Sequence, residues 1–207
     1  MILESYYWKK ELYNSFLTIA KFRHSKRITK QSHVKVEKAL MIGVYIIRKL
    51  DDAQKIPPDF LTKKEQLEFS ESKGTIVEHI NWHKIDTHYN FDKVIKTEKD
   101  WRFIVNQIIH NFSLFFSSNS SDKLNGFLFN SDKTKKQALF FLPLETLLTI
   151  FLTISEGNIT HANSHRQVIG NDNKEKSKFG ERKLTNAVYS FPDNFNIKSA
   201  ITNSLNG

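Results

Sequence analysis

Residues 98–118 read EKDWRFIVNQIIHNFSLFFSS, and the fold of the whole chain turns on how this stretch is read. Its apolar residues Trp101, Ile104, Val105, Ile108, Ile109, Phe112, Phe115 and Phe116 recur at mixed three- and four-residue spacings. That pattern predicts one long helix through the centre of the core. Arg102, Asn106 and His110 then follow at successive steps of four, continued by Ser113 and Ser117, so a helical backbone stacks them in one slowly drifting polar stripe. The three groups suit ribose-phosphate chemistry. An imidazole can move a proton near neutral pH, a guanidinium can hold developing phosphate charge, and an amide can orient either one. The plain alternative is that the stripe is the polar face that any amphipathic helix shows.

Working outward, Leu3 to Phe22 carries Tyr6, Tyr7, Tyr13, Phe16, Leu17 and Ile19 at helical spacing, which predicts a helix with one buried face. Residues 23–31 are polar and basic and read as a connecting loop. From Ser32 the run Val36, Ala39, Leu40, Gly43, Val44, Ile47 and Leu50 predicts a second helix, with Arg48 and Lys49 at the end where cations suit the helix dipole. Pro57 and Pro58 require it to stop by about Lys55. The two helices are expected to pair as an antiparallel hairpin.

Leu67 to Phe69 and Thr75 to Ile85 read as strands around a Lys73–Gly74 turn. Gly126 to Asn130 and Gln137 to Pro143 read as short strands flanking the polar loop 131–136. Glu145 to Ile154 reads as a final short helix, and residues 158–207 as a polar, weakly ordered or adaptable tail. The expected class is α+β: a helix-rich core, built from an antiparallel helical hairpin and a central apolar helix, with a small antiparallel β element. Residues 1–157 would form the single mixed domain.

Composition narrows the chemistry. The 207 residues contain no cysteine, which excludes disulfides, thiolate metal sites and cysteine nucleophiles and fits a reducing compartment. No basic stretch followed by an apolar run opens the chain, and the most apolar segment, Ala138 to Ile154, is interrupted by Pro143 and Glu145. A cytoplasmic location without a membrane partner is the expectation. The seven glycines never approach the spacing of a phosphate-binding loop, and no cofactor is implied.

The net charge of +9 is concentrated, with eleven bases against three acids in the first 50 residues. Such a field attracts phosphates, and Lys21, Arg23, Lys26, Arg27, Lys30 and Lys35 are the candidate nucleic-acid contacts. It also serves solubility or an acidic partner. Most of the 17 phenylalanines sit in apolar runs and belong to a core; Tyr6, Tyr7 and Trp8, beside Lys9 and Lys10, are better placed for a contact surface. Glu78, His79, His83, Asp86 and His88 cluster in sequence. On a strand His79 and His83 would lie about 13 Å apart, too far to share a metal ion.

The stretch from Arg102 through Asn106 to His110, and more loosely the helix end Ile46–Leu50, resembles the HEPN superfamily. These are helical proteins with an arginine and a histidine on a late helix, many of them metal-independent ribonucleases of toxin–antitoxin and phage-defence systems. The resemblance covers residues 1–118. Seven residues lie between Arg102 and His110, a wider spacing than the family's, and Phe103 stands where a polar residue usually follows the arginine. The resemblance implies a homodimer whose arginine and histidine pairs face one cleft over RNA, with His110 assisting attack by a ribose 2′-hydroxyl and Arg102 holding the phosphate. The competing expectation is a non-catalytic module, homodimeric or bound to a protein partner, with an exposed apolar patch. A small-molecule site between the hairpin and the helices would instead show as a pocket lined by His110.

Overall fold

The computed structural model of the protein describes residues 2–25, 29–168 and 179–206. The first helix, α1 (Ser5–Arg23), starts where the Glu4 carboxylate accepts the Tyr6 N–H, and it buries Leu12, Phe16 and Ile19. The second, α2 (Lys30–Asp52), starts at a reciprocal cap in which Thr29 and Ser32 each bond the other's backbone N–H. Its buried stripe of Val36, Leu40, Val44, Ile47 and Leu50 lies against α1. After α2 the chain turns through Gln54 (φ 55°), Pro57 and a 3-10 turn at Phe60–Thr62.

The framework is a sheet, which corrects the expectation of a small β element on a helical core. Strands β1 (Lys64–Ser72), β2 (Tyr89–Asp100), β3 (Asn111–Ser118), β4 (Leu124–Ser131) and β5 (Ala138–Pro143) form one sheet in the order β2-β1-β5-β4-β3, every neighbouring pair antiparallel. A short helix, α3 (Ile85–His88), precedes β2. The register aligns Ile95, Phe69, Phe140, Phe129 and Leu114 in one row across all five strands. Phe129 and Phe140 of this row, with Phe127 and Leu142, are buried in one core with Phe16, Leu40, Ile47 and Phe151 of the helices.

The predicted central helix is less than half the expected length. Helix α4 (Trp101–Ile109) begins at Asp100, whose carboxylate accepts the Phe103 N–H, and ends at His110. Residues 111–118 are β3. The reason is geometric. β2 lies on one edge of the sheet and β3 on the other, about 19 Å away at ~4.8 Å per strand interval, and the nine residues of α4 span about 14 Å, most of that distance. Beyond that point the aromatic residues gain more by pairing than by coiling: Phe116 lies opposite Phe127 and Leu114 opposite Phe129.

Residues 75–85, expected as a strand, form turns and the start of α3. β1 pairs instead with β5 on one side and on the other with β2, an edge strand whose lysines mask its alternation. Helix α5 (Leu144–Glu156) follows β5 and packs on α1, with Phe151 fully buried against Gly43 of α2.

Residues 158–206, expected as a polar, weakly ordered or adaptable tail, carry two strands and a helix where they are described. Strands β6 (Asn158–Val168) and β7 (Phe179–Ser190) pair as a separate two-stranded ribbon, and α6 (Ile197–Asn206) returns to the body and buries Ile201. The ribbon is polar because most of its described residues are exposed, which makes its composition look like a tail's. Its root is fastened to α1. The buried Lys9 ammonium donates to the Gly157 carbonyl, the Asn158 side chain and the Tyr189 hydroxyl, and Tyr189 donates onward to the Ile154 carbonyl.

Candidate functional site

Where α4 ends, the chain leaves an open cleft of about 680 Å3 between α2, the end of α4 and the β4–β5 loop. Its walls include Arg48, Phe103, Asn106, Gln107, His110 and Lys133. Two of the three groups expected on the polar stripe, Asn106 and His110, therefore share one cavity. The third does not. The Arg102 guanidinium turns to the Asp51 carboxylate (Nη1 to Oδ2 2.8 Å, Nη2 to Oδ1 3.4 Å) and ties α4 to the end of α2. Ser113 and Ser117, read as extensions of the stripe, lie on β3 instead.

The arginine of the cleft is Arg48, placed there by the last turns of α2. It donates from Nη1 to the Asn106 Oδ1 at 3.0 Å and pairs through Nε with Asp52 Oδ1 at 3.1 Å. Its side chain keeps 39% exposure, so the guanidinium is held in place yet reachable. Asn106, with its oxygen committed to Arg48, keeps its amide N–H groups for a ligand. Opposite, Thr134 donates to the Gln107 side-chain oxygen at 2.8 Å and accepts the Ser131 N–H at 3.0 Å, which fixes the loop that carries Lys133. Lys135 pairs with Asp132 at 2.8 Å and holds its carboxyl below the ordinary range. Lys133 is exposed and has no ion-pair partner among the described residues.

His110 is exposed at the C-terminal end of α4, its backbone N–H bonded to the Asn106 carbonyl. Its ring makes no hydrogen bond among the described residues. His88, from the histidine-rich stretch 78–88, is by contrast buried and fully engaged with the Thr75 hydroxyl and the Asn81 carbonyl. The cleft thus gathers an unengaged imidazole, a positioned guanidinium, free amide donors and a lysine. That set can bind an oxyanion and exchange a proton beside it. Sequence reading placed Arg48 only at a helix end, because 58 positions separate it from Asn106 and no spacing rule links them; the packing of α2 on α4 does.

Arg23 spends its guanidinium on the Leu205 and Leu124 carbonyls and clamps α6 to the body. Lys21 is exposed beside a groove shared with His24 and Ser204, and Lys30 and Lys35 are exposed on the first turns of α2. Lys26 and Arg27 lie outside the described residues.

Among the described residues no group of three or more His, Asp or Glu side chains is arranged to hold a metal ion, and no helix is long and apolar enough to cross a membrane. Tyr6 and Tyr7 are exposed, and Tyr7 lines a shallow apolar groove of about 260 Å3 with Trp8, Ile42 and Tyr45. Comparison with protein-family models, with curated proteins and with solved structures finds no match.

Proposed function

We propose that this is a nucleic-acid-associated protein and that the cleft beside His110 receives a phosphodiester of RNA and cleaves it without a metal. The observation that carries the reading is the unengaged His110 ring in the same open cleft as Arg48, Asn106 and Lys133. The chemistry is the kind that the HEPN resemblance implies, with the phosphate-holding role given to Arg48 in place of Arg102.

In this reading His110 accepts the proton of a ribose 2′-hydroxyl as that oxygen attacks the adjacent phosphorus. Arg48 and the Asn106 amide stabilise the charge gathering on the phosphoryl oxygens. The bond from phosphorus to the 5′-oxygen breaks, and that oxygen takes a proton from solvent or from Lys133. The products are a 2′,3′-cyclic phosphate and a 5′-hydroxyl end.

The test is cleavage of single-stranded RNA by the purified full chain with EDTA present. His110→Ala is expected to slow cleavage by about 10²-fold or more, the usual size of a lost general base. Equal rates for wild type and His110→Ala, or no cleavage by the wild type, would remove the catalytic reading.

A second reading, a non-catalytic interaction module, is supported by the exposed apolar residues Tyr7, Ile42 and Tyr45 on the α1–α2 face. It expects a dimer in sedimentation that Ile42→Asp dissociates, with no RNA cleavage.

A further inference from the structure

The five-stranded sheet has two edges, and they differ in kind. β2, on one edge, carries Asp92, Lys93, Lys96, Glu98, Lys99 and Asp100, charges of the sort with which edge strands resist pairing. β3, on the other, reads NFSLFFSS and holds no charge and no proline. Irregularities at its two ends leave Ser113–Ser117 as a regular run. Among the described residues, no backbone N–H or C=O of Asn111–Ser118 is bonded to anything but β4. The rings that touch β3 are Trp82 on Phe115 (5.1 Å between centroids), His79 on Phe112, and Phe22 and His33 on Phe116. They stand on its faces and bond none of its backbone groups.

Burial shows the consequence. Phe127 and Phe129 of β4 are fully buried, whereas Phe116 and Leu114, directly opposite them, are only partly buried. The apolar rows that cross the sheet therefore stop at β3 with one side uncovered.

We infer that β3 pairs antiparallel with β3 of a second copy of this chain, about a two-fold axis at Phe115, to make one continuous sheet. Register selects this occupant. Side chains directly opposite one another across an antiparallel pair share a face of the sheet. With Phe115 facing Phe115 of the second copy, Leu114 lies opposite its Phe116 and Ser113 opposite its Ser117, so apolar meets apolar and hydroxyl meets hydroxyl. The row of Phe69, Phe140, Phe129 and Leu114 then runs on into Phe116 and Phe127 of the second copy without a gap.

Other occupants fit less well. Pairing of β3 with β2 of another copy would set lysines and acids against phenylalanines, and it would propagate as an open chain instead of closing. A nucleic-acid strand finds no cation on β3. An unrelated strand would need the same alternation to continue both rows, and this chain already carries it. The surface is distinct from the α1–α2 face, and no residue of Ser113–Ser117 lines that groove or the cleft at His110.

The experiment places single cysteines in a chain that has none of its own. Sedimentation of the wild-type chain across a dilution series is expected to show a monomer–dimer equilibrium. Under mild oxidation Phe115→Cys should cross-link to a dimer, because its two thiols lie opposite each other at the axis. Ser117→Cys should cross-link at least about tenfold more slowly, because its two copies stand about 14 Å apart along the strands at ~3.4 Å per residue. Val94→Cys, exposed on β2, should cross-link no faster than Ser117→Cys.

Amide hydrogen exchange on the unsubstituted chain checks the same contact without relying on any variant. Ser113–Ser117 should exchange more slowly as concentration rises, while β2 stays unchanged. A wild type that stays monomeric, cross-linking of Ser117→Cys or Val94→Cys as fast as Phe115→Cys, or exchange in Ser113–Ser117 that ignores concentration would each overturn the inference. A dimer that Ile42→Asp dissociates while Phe115→Cys fails to cross-link would overturn it too and assign the contact to the α1–α2 face.

Discussion

Arg102 reaches Asp51 at 2.8 Å, and this pair joins the first turn of α4 to the end of α2, one helical turn away from the contact between Arg48 and Asn106. Two arginine-centred contacts therefore cross the same interface, one closed on a carboxylate and one open to the cleft.

The first prediction separates them. Arg102→Ala should lower the urea midpoint by an amount equivalent to about 1 kcal/mol, because it strands the largely buried Asp51 carboxylate, and should leave RNA cleavage near the wild-type rate. Arg48→Ala should reduce cleavage far more than it reduces stability. Loss of cleavage by Arg102→Ala at unchanged stability would return Arg102 to the site.

The second concerns helix packing. A side chain added at Gly43 would run into the Phe151 ring, which is fully buried and has no room to retreat. Gly43→Ala should cost about 1–3 kcal/mol by overpacking, despite the higher helix propensity of alanine. Chemical denaturation that finds the variant equal to or more stable than wild type would show that α2 and α5 pack less closely than described.

The third is a pH dependence with two opposed windows. Burial lowers the Lys9 ammonium to about 8 from 10.5, so the folded protein releases a proton that the unfolded chain still holds, and this group's contribution to stability rises with pH between about 8 and 10.5. Burial pushes the Tyr89 hydroxyl up to about 12 from 10.0, so its contribution is complete below pH 10 and is lost as pH rises toward 12. Urea midpoints measured from neutral pH to about pH 12 should show Lys9→Met weakening the lower window, which Lys63 shares because burial lowers its ammonium too, and Tyr89→Phe weakening the upper one, which the Tyr189 hydroxyl, also pushed up by burial, shares. Tyr89→Phe should also be destabilising at neutral pH by about 1–3 kcal/mol, since it removes the donor to the Lys135 carbonyl and the acceptor for the Asn130 amide.

Local pattern carried part of this architecture. The stripes of α1 and α2 were legible because solvent lies on one side of each helix, and β4, β5 and the polar loop between them were legible because turn residues punctuate them. Asn106 and His110 were legible as a pair by spacing alone, and they meet in the cleft even though His110 sits at the helix end rather than within it.

Residue pattern alone shows which segments can bury a face. Where α4 stops, which strands pair with β1, that Asn158–Val168 pairs with Phe179–Ser190, and which arginine shares the cleft with His110 were decided only in three dimensions. The physical reason is that an apolar run such as Ile108 to Phe116 satisfies helix and strand alike until a partner strand supplies its hydrogen bonds, and a side chain such as Arg48 acquires its role from a helix laid across it.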